Sequence, residues 1–259
     1  YTTLFRSNYL RHAFIFLLFP LVLGVLYGAL YANFTVPQLA PDLSAELNAT
    51  SPHSQIIELE PAPKMSSREN MLTSSFTGVS LFLAFTLTGI FLKSREKRVV
   101  DRLMSISLNK WQLYVGNTLS AFIISFGFTL VYFVISYRLI LNLNLNFLAL
   151  TLVIALHSMF LAAVHGFLIS VFKTERSMRN ITTPFIMMFM FLGGTIFPVD
   201  SFKGANSLAA LTPNYLLKNI YENLVLARPA VSPEVITLAI ISLALLVGGA
   251  ILFSLREEV

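Results

Sequence analysis

FLALTLVIALHSMFLAAVHGFLISVF, residues 147–172, runs for more than the length of a bilayer-crossing helix without one Asp, Glu, Lys or Arg. A membrane helix needs about 20 consecutive apolar residues, and this run exceeds that. The uncharged stretch opens earlier, at Leu139, and is too long for one span; Asn142, Asn144 and Asn146 mark its beginning as an interfacial turn, so the helix is expected to start near Phe147. Five further stretches have the same character, giving expected spans at 13–32, 71–92, 111–137, 147–172, 180–199 and 235–255. Between them lie an external loop at 33–70, a cytoplasmic segment at 93–110 and an external segment with a helix at 200–234.

Composition agrees with lipid as the main solvent. Of 259 residues, 56% are hydrophobic and 12% charged, against roughly 25% charged in an ordinary soluble domain. The fold class expected is an all-α polytopic membrane protein of six transmembrane helices, with a cytoplasmic coupling helix and an external re-entrant or interfacial helix. A formal net charge of +5 raises the question of nucleic acid, but the basic residues sit in short runs between apolar stretches. That pattern sets orientation and excludes a nucleic-acid partner from the reading. Twelve of the 18 Lys and Arg residues fall on the side holding the N-terminus, the 93–110 segment, Lys173, Arg176, Arg179 and Arg256; six fall on the other. Both termini are therefore expected in the cytoplasm. With no cysteine in the chain, disulfides, thiolate metal sites and cysteine nucleophiles are excluded. The opening at Tyr1 is read as a truncated or appended start and carries no weight.

No expected span holds Asp, Glu, Lys or Arg at membrane depth. Ion-coupled carriers usually keep such a group, so the titratable candidates inside the membrane reduce to His157 and His165. Eight residues apart, they stand roughly 80° apart around a helix, which makes them a poor ligand pair. Hydrogen bonding to neighbouring helices is the plain reading; a haem, metal or proton-relay role is the alternative. Gly24 and Gly28 have the small-residue spacing of close helix contacts, and Pro20 and Pro184 are candidate kinks. Gly193, Gly194 and Pro198 loosen the outer end of the fifth span. Asn33 and Asn48 each begin a glycosylation sequon, which has meaning only in a eukaryotic secretory pathway.

The segment after the second span reads Lys93-Ser-Arg-Glu-Lys-Arg-Val-Val-Asp-Arg-Leu-Met-Ser-Ile-Ser-Leu-Asn-Lys110. Val99, Val100, Leu103 and Ile106 recur at helical steps while Lys97, Arg98, Asp101, Arg102 and Ser105 point elsewhere. A short amphipathic helix over Ser94–Ile106 at the cytoplasmic interface is expected, either as a basic lipid anchor or as a contact for another protein.

Here the chain resembles the type-two family of ATP-binding-cassette exporter permeases. Glu96-Lys-Arg-Val-Val-Asp-Arg102-Leu103, followed by Ser107 through Gly116-Asn117, is similar to that family's segment between the second and third spans, although Val99-Val100 replaces its Gly-Thr and Asn117 its Lys. Gly193-Gly194-Thr-Ile-Phe-Pro198 and Leu208-Ala-Ala-Leu-Thr-Pro213-Asn-Tyr215 are similar to its fifth span and the approach to its external helix. The resemblance implies a permease dimer, homodimeric or of two paralogues, in a bacterial cytoplasmic membrane. It further implies that each copy docks a nucleotide-binding ATPase subunit and exports lipids, glycans, antibiotics or other amphiphiles along the dimer seam. No Gly-x-x-x-x-Gly-Lys-Ser/Thr occurs, so ATP and Mg belong to the partner subunit, and the chain itself is expected to be no enzyme and to carry no cofactor. Arg95, Glu96, Arg98, Asp101, Arg102 and Leu103 become the implied coupling residues.

An external gate is expected where Thr212 caps a helix with Pro213 at its first position. Leu216, Leu217, Ile220 and Leu224 form its apolar stripe, Asn214, Lys218, Glu222 and Asn223 lie largely opposite, and Tyr215 is counted with the gate residues. A helix floating at the outer surface, anchored there by Tyr215 and Tyr221, is the alternative to a gate. An ATP-independent channel or secondary carrier, or a membrane-embedded enzyme built around the two histidines, are the competing function classes.

Overall fold

The computed structural model describes residues 65–97, 109–141, 143, 145–193, 209, 212–228 and 232–255. Among these, every regular element is a helix. In chain order they are α1 Ser67–Glu96, α2 Lys110–Phe133 continued by a π-helical segment Val134–Ile140, α3 Phe147–Val171, α4 Glu175–Leu192, α5 Pro213–Val225 and α6 Pro233–Leu255.

Each start has a local cause. Ser66 Oγ accepts from the Glu69 amide at 3.3 Å while the Ser66 amide donates to Glu69 Oε2 at 2.7 Å, a reciprocal cap that begins α1. Asn109 and Gln112 do the same for α2, where the Asn109 amide donates to Gln112 Oε1 at 3.1 Å. Asn146 Oδ1 accepts from Leu148 and Ala149, so α3 begins at Phe147, where the asparagine-rich turn places it. Thr174 caps α4, and Glu175 pairs with Arg179 at 2.6 Å in its first turn.

Four helices are long and apolar enough to cross a membrane among the described residues: Glu69–Glu96, Lys110–Arg138, Phe147–Val171 and Pro233–Leu255. The expected span at 13–32, with Pro20, Gly24 and Gly28, lies outside the described residues, as does most of the 33–70 loop; residues 67–70 of that loop belong to α1. α4 departs from the 180–199 expectation by starting at Glu175, so its first turns are polar, and it runs through Pro184 to Leu192, with Gly193 as its cap.

Burial ranks the helices. The most apolar window of α1 is 72% buried and that of α6 only 17%, so α1 is the inner helix and α6 a membrane-facing one. α3 packs along α6 and α2, and α1 against α3 and α4. The inner helix is also the one richest in hydroxyls. Thr73, Ser75, Thr77, Ser80 and Thr88 are buried and each donates to a carbonyl three or four residues back, which satisfies in the helix itself what lipid could not.

Glycine sets the closest approach. A Cβ on Gly249 of α6 would lie 3.0 Å from the Phe167 Cα and 2.7 Å from the Tyr114 hydroxyl, and one on Gly166 of α3 would lie 2.8 Å from that hydroxyl. The two backbones therefore meet where side chains are missing, and Tyr114 closes the gap by donating to the Leu246 carbonyl at 2.9 Å.

Candidate functional site

α5 is built as its sequence indicates at its start: Thr212 Oγ1 accepts from the Tyr215 amide at 3.4 Å, and Pro213 occupies the first helical position. Its placement departs from a surface helix. Leu216, Leu217, Ile220 and Tyr221 are buried, while Tyr215 and Leu224 are half-buried, and the helix lies against α1 and α6 with smaller contacts on α3 and α4. Asn214, read as lying opposite the apolar stripe, is corrected: it is fully buried, as is Tyr221, the anchor of the surface-helix alternative. Asn214 enters because Gly193, at the end of α4, has no side chain: a Cβ there would sit 2.7 Å from the Asn214 Cβ. Glu222 lies 3.9 Å from Arg228, in the segment that follows α5.

Tyr221 reaches a hydrogen-bonded chain inside the bundle. Its hydroxyl stands 2.9 Å from His157 Nδ1, and His157 Nε2 stands 3.0 Å from Ser80 Oγ. The proton positions follow from the network. Ser80 gives its only proton to the Thr77 carbonyl at 2.9 Å, so it accepts from His157 Nε2–H; Nδ1 is then an acceptor and Tyr221 the donor. Burial drives the Tyr221 phenol well above its ordinary pKa of 10.0, which keeps it a donor. His165 takes the opposite tautomer by the same logic. Thr88 donates to the Ala84 carbonyl at 2.8 Å and accepts from His165 Nδ1 at 3.1 Å. Both imidazoles thus bond to hydroxyls of α1, the plain reading of these residues. Among the described residues no group of three His, Cys, Asp or Glu is arranged to hold a metal ion.

Aromatic rings surround this chain. Tyr221 stacks on Phe133 at 4.2 Å and Phe76 on Tyr132 at 4.0 Å, with Phe76 edge-on to Phe133 and to His157. Tyr132 donates to the Leu72 carbonyl at 3.0 Å, and Tyr137, carried by the π-helical segment, bonds Thr73. The wider π turn is a device often found at functional sites. Here it extends α2 so that a second tyrosine grips α1. α1, α2, α3 and α5 are locked together at one end of the bundle.

The other end of α1 holds the described part of the coupling segment. Ser94, Arg95 and Glu96 form the last turn of α1 rather than opening a separate helix, and Lys97 ends it. Glu96 Oε1 accepts from the Glu175 amide at 2.9 Å, a free donor at the start of α4. The end of α1 is thereby fixed to the beginning of α4. Arg98, Asp101, Arg102 and Leu103 lie outside the described residues.

Sequence reading missed Ser80, Tyr132, Tyr137, Gly166 and Gly249. The run Thr73-Ser-Ser-Phe-Thr-Gly-Val-Ser80 was the available signal for the first three, since so many hydroxyls in one span call for partners on its neighbours.

No curated protein and no solved structure matches the chain. A family model described as ABC-2 type transporter matches residues 3–221, an interval that takes in the paired tyrosines of α2, both histidines of α3 and α5 as far as Tyr221. The chain belongs to the ABC-2 type transporter family, as a multi-pass membrane permease subunit that is not itself an ATPase.

Proposed function

We propose that this chain is the permease of an ATP-driven exporter, paired with a second permease, identical or paralogous, and with a separate nucleotide-binding subunit that carries ATP and Mg. The cargo is an amphiphile of the lipid, drug, antibiotic or glycan kind, passing along the seam between permeases. α5 gates the external exit, and the segment around Glu96, Arg98 and Arg102 receives the motion of the ATPase. Both termini face the cytoplasm of a bacterial cell.

The observation that carries this reading is the seat of α5. A short amphipathic helix that only floated at the surface would keep its tyrosines at the interface, whereas Tyr221 is withdrawn into the bundle on His157. A helix held against α1 and α6 moves when they move, as a gate requires. In this reading the second permease packs on α4, where Met178, Thr182 and Ile186 are buried on one side and Ile181, Phe185, Met188 and Phe191 stand exposed on the rest. Glu96 supports coupling, because a push on the segment after α1 reaches α4 through its carboxylate.

The test is purification in mild detergent, identification of the copurifying ATPase, and reconstitution of the complex in liposomes. Substrate-stimulated ATP hydrolysis with transport is expected, and the double variant Ile220→Asp, Leu224→Asp should abolish transport or make it leak while the complex stays assembled. Transport without any ATPase would move the chain to the carrier class. Wild-type transport by the double variant would remove the gate.

A further inference from the structure

On the membrane-facing side, α2 and α6 diverge over α3 and leave a groove of about 640 Å³. Trp111, Val115, Leu119 and Phe122 form one wall, Val247 and Ile251 the other, with Met159 and Ala162 on the floor. Trp111, Leu119, Val247 and Ile251 are each more than half exposed, so the groove opens to lipid. It exists because Gly166 and Gly249 draw α6 onto α3 below it, while Ala162 and Ala250 put only methyl groups where larger side chains would fill the space.

The lining specifies the occupant's chemistry. Its hydroxyls are already committed: Tyr114 donates to the Leu246 carbonyl, Thr118 to the Tyr114 carbonyl and Ser254 to the Ile251 carbonyl. A ligand with polar groups along its body would lose water there without replacement, a cost of order 1–3 kcal/mol per group in proteins. Hydrocarbon loses nothing.

Dimensions narrow the choice further. From Trp111 to Phe122 the groove rises about 16 Å at ~1.5 Å per residue, close to half of the ~30 Å hydrocarbon core. Spread over that length, its volume gives a cross-section of roughly 40 Å², about half or less of what a helix 10–12 Å across would need. One extended hydrocarbon chain spanning one leaflet fits that section along its whole length. Trp111, in the first turn of α2, marks the interfacial mouth, where tryptophan is enriched.

We propose that this groove binds one acyl chain of a membrane phospholipid, from the leaflet that holds the start of α2, with the chain entering beside Trp111 and ending near Phe122. It is a site for the surrounding lipid and does not depend on which cargo the permease moves.

The full chain in lipid nanodiscs containing phosphatidylcholine with a mid-chain diazirine tests this by photolabelling and peptide mass spectrometry. Adducts on Leu119, Phe122 and Met159 should exceed those on Leu152 and Leu243, which are 61% and 58% exposed, by about tenfold, equivalent to a preference of about 1.4 kcal/mol. Ala250→Phe, or Val115→Phe from the more tolerant exposed wall, should remove the groove adducts and leave those at Leu243. Adducts distributed in proportion to exposure, or groove labelling unchanged in both filled variants, would overturn the proposal. So would a disulfide-linked dimer formed by Leu119→Cys in this cysteine-free chain, since a second copy would then occupy the groove.

Discussion

His157 is held by two hydroxyls that belong to different helices, Ser80 on α1 and Tyr221 on α5, and its ring is fully buried. Removing either partner leaves one ring nitrogen unsatisfied. Tyr221→Phe keeps the stacking on Phe133 and deletes only the donor, so it should lower stability by about 1–2 kcal/mol, toward the smaller end because membrane hydrogen bonds are weak on average. Ser80→Ala should cost a similar amount through the orphaned Nε2–H. Denaturant titration of the single and combined variants in micelles should give less than the sum, because both act through one imidazole; full additivity would mean that the chain does not act as a unit. Gly249 makes a steric prediction of the same scale. Its Cβ would fall 3.0 Å from the Phe167 backbone, which cannot swing aside, so Gly249→Ala should destabilise by about 1–3 kcal/mol as an overpacked contact. Gly116→Ala, with open space around it, is the control and should be neutral in the same titration.

Between elements, the informative joint is the one where Glu96 receives the first amide of α4. Two roles for that carboxylate predict different results. If it contacts the ATPase through its charge, Glu96→Gln and Glu96→Ala should be equally uncoupled. If it fastens α4 to α1 by accepting a hydrogen bond, Gln retains an acceptor and loses only the favourable interaction of a negative charge with the helix start, typically 0.3–1 kcal/mol. Near-normal transport per ATP hydrolysed in Glu96→Gln, with severe loss in Glu96→Ala, is the expected outcome. Reversing charge at Arg98 and Arg102 should uncouple in either case, since these residues are proposed to meet the ATPase. α5 illustrates why an element's pattern is not its location. Its stripe of Leu216, Leu217 and Ile220 announces an amphipathic helix, but a stripe is equally satisfied by headgroups or by a bundle, and burial of Tyr221 shows which surface received it.

For the whole molecule, the distribution of basic residues predicts an orientation, and the cysteine-free sequence makes that testable. In intact cells a membrane-impermeant thiol reagent should label Glu58→Cys and leave Lys97→Cys unlabelled; the reverse pattern would invert the topology and place α5 in the cytoplasm. The sequence by itself determined the solvent, the helical class and the absence of a nucleotide-binding loop. These follow from local quantities: runs of apolar residues, the presence or absence of a short motif, and charges between spans. It also carried the family resemblance that the family model bears out. The tertiary structure alone decided that α1 lies inside and α6 outside, that Tyr221 and Asn214 are core rather than surface residues, and that Gly166 meets Gly249. In lipid every apolar helix face is acceptable against either a neighbour or a fatty chain, so hydrophobicity ceases to report burial. What separates inside from outside is the pairing of hydroxyls and the fit of backbones across helices far apart in sequence, and neither exists until the chain is packed.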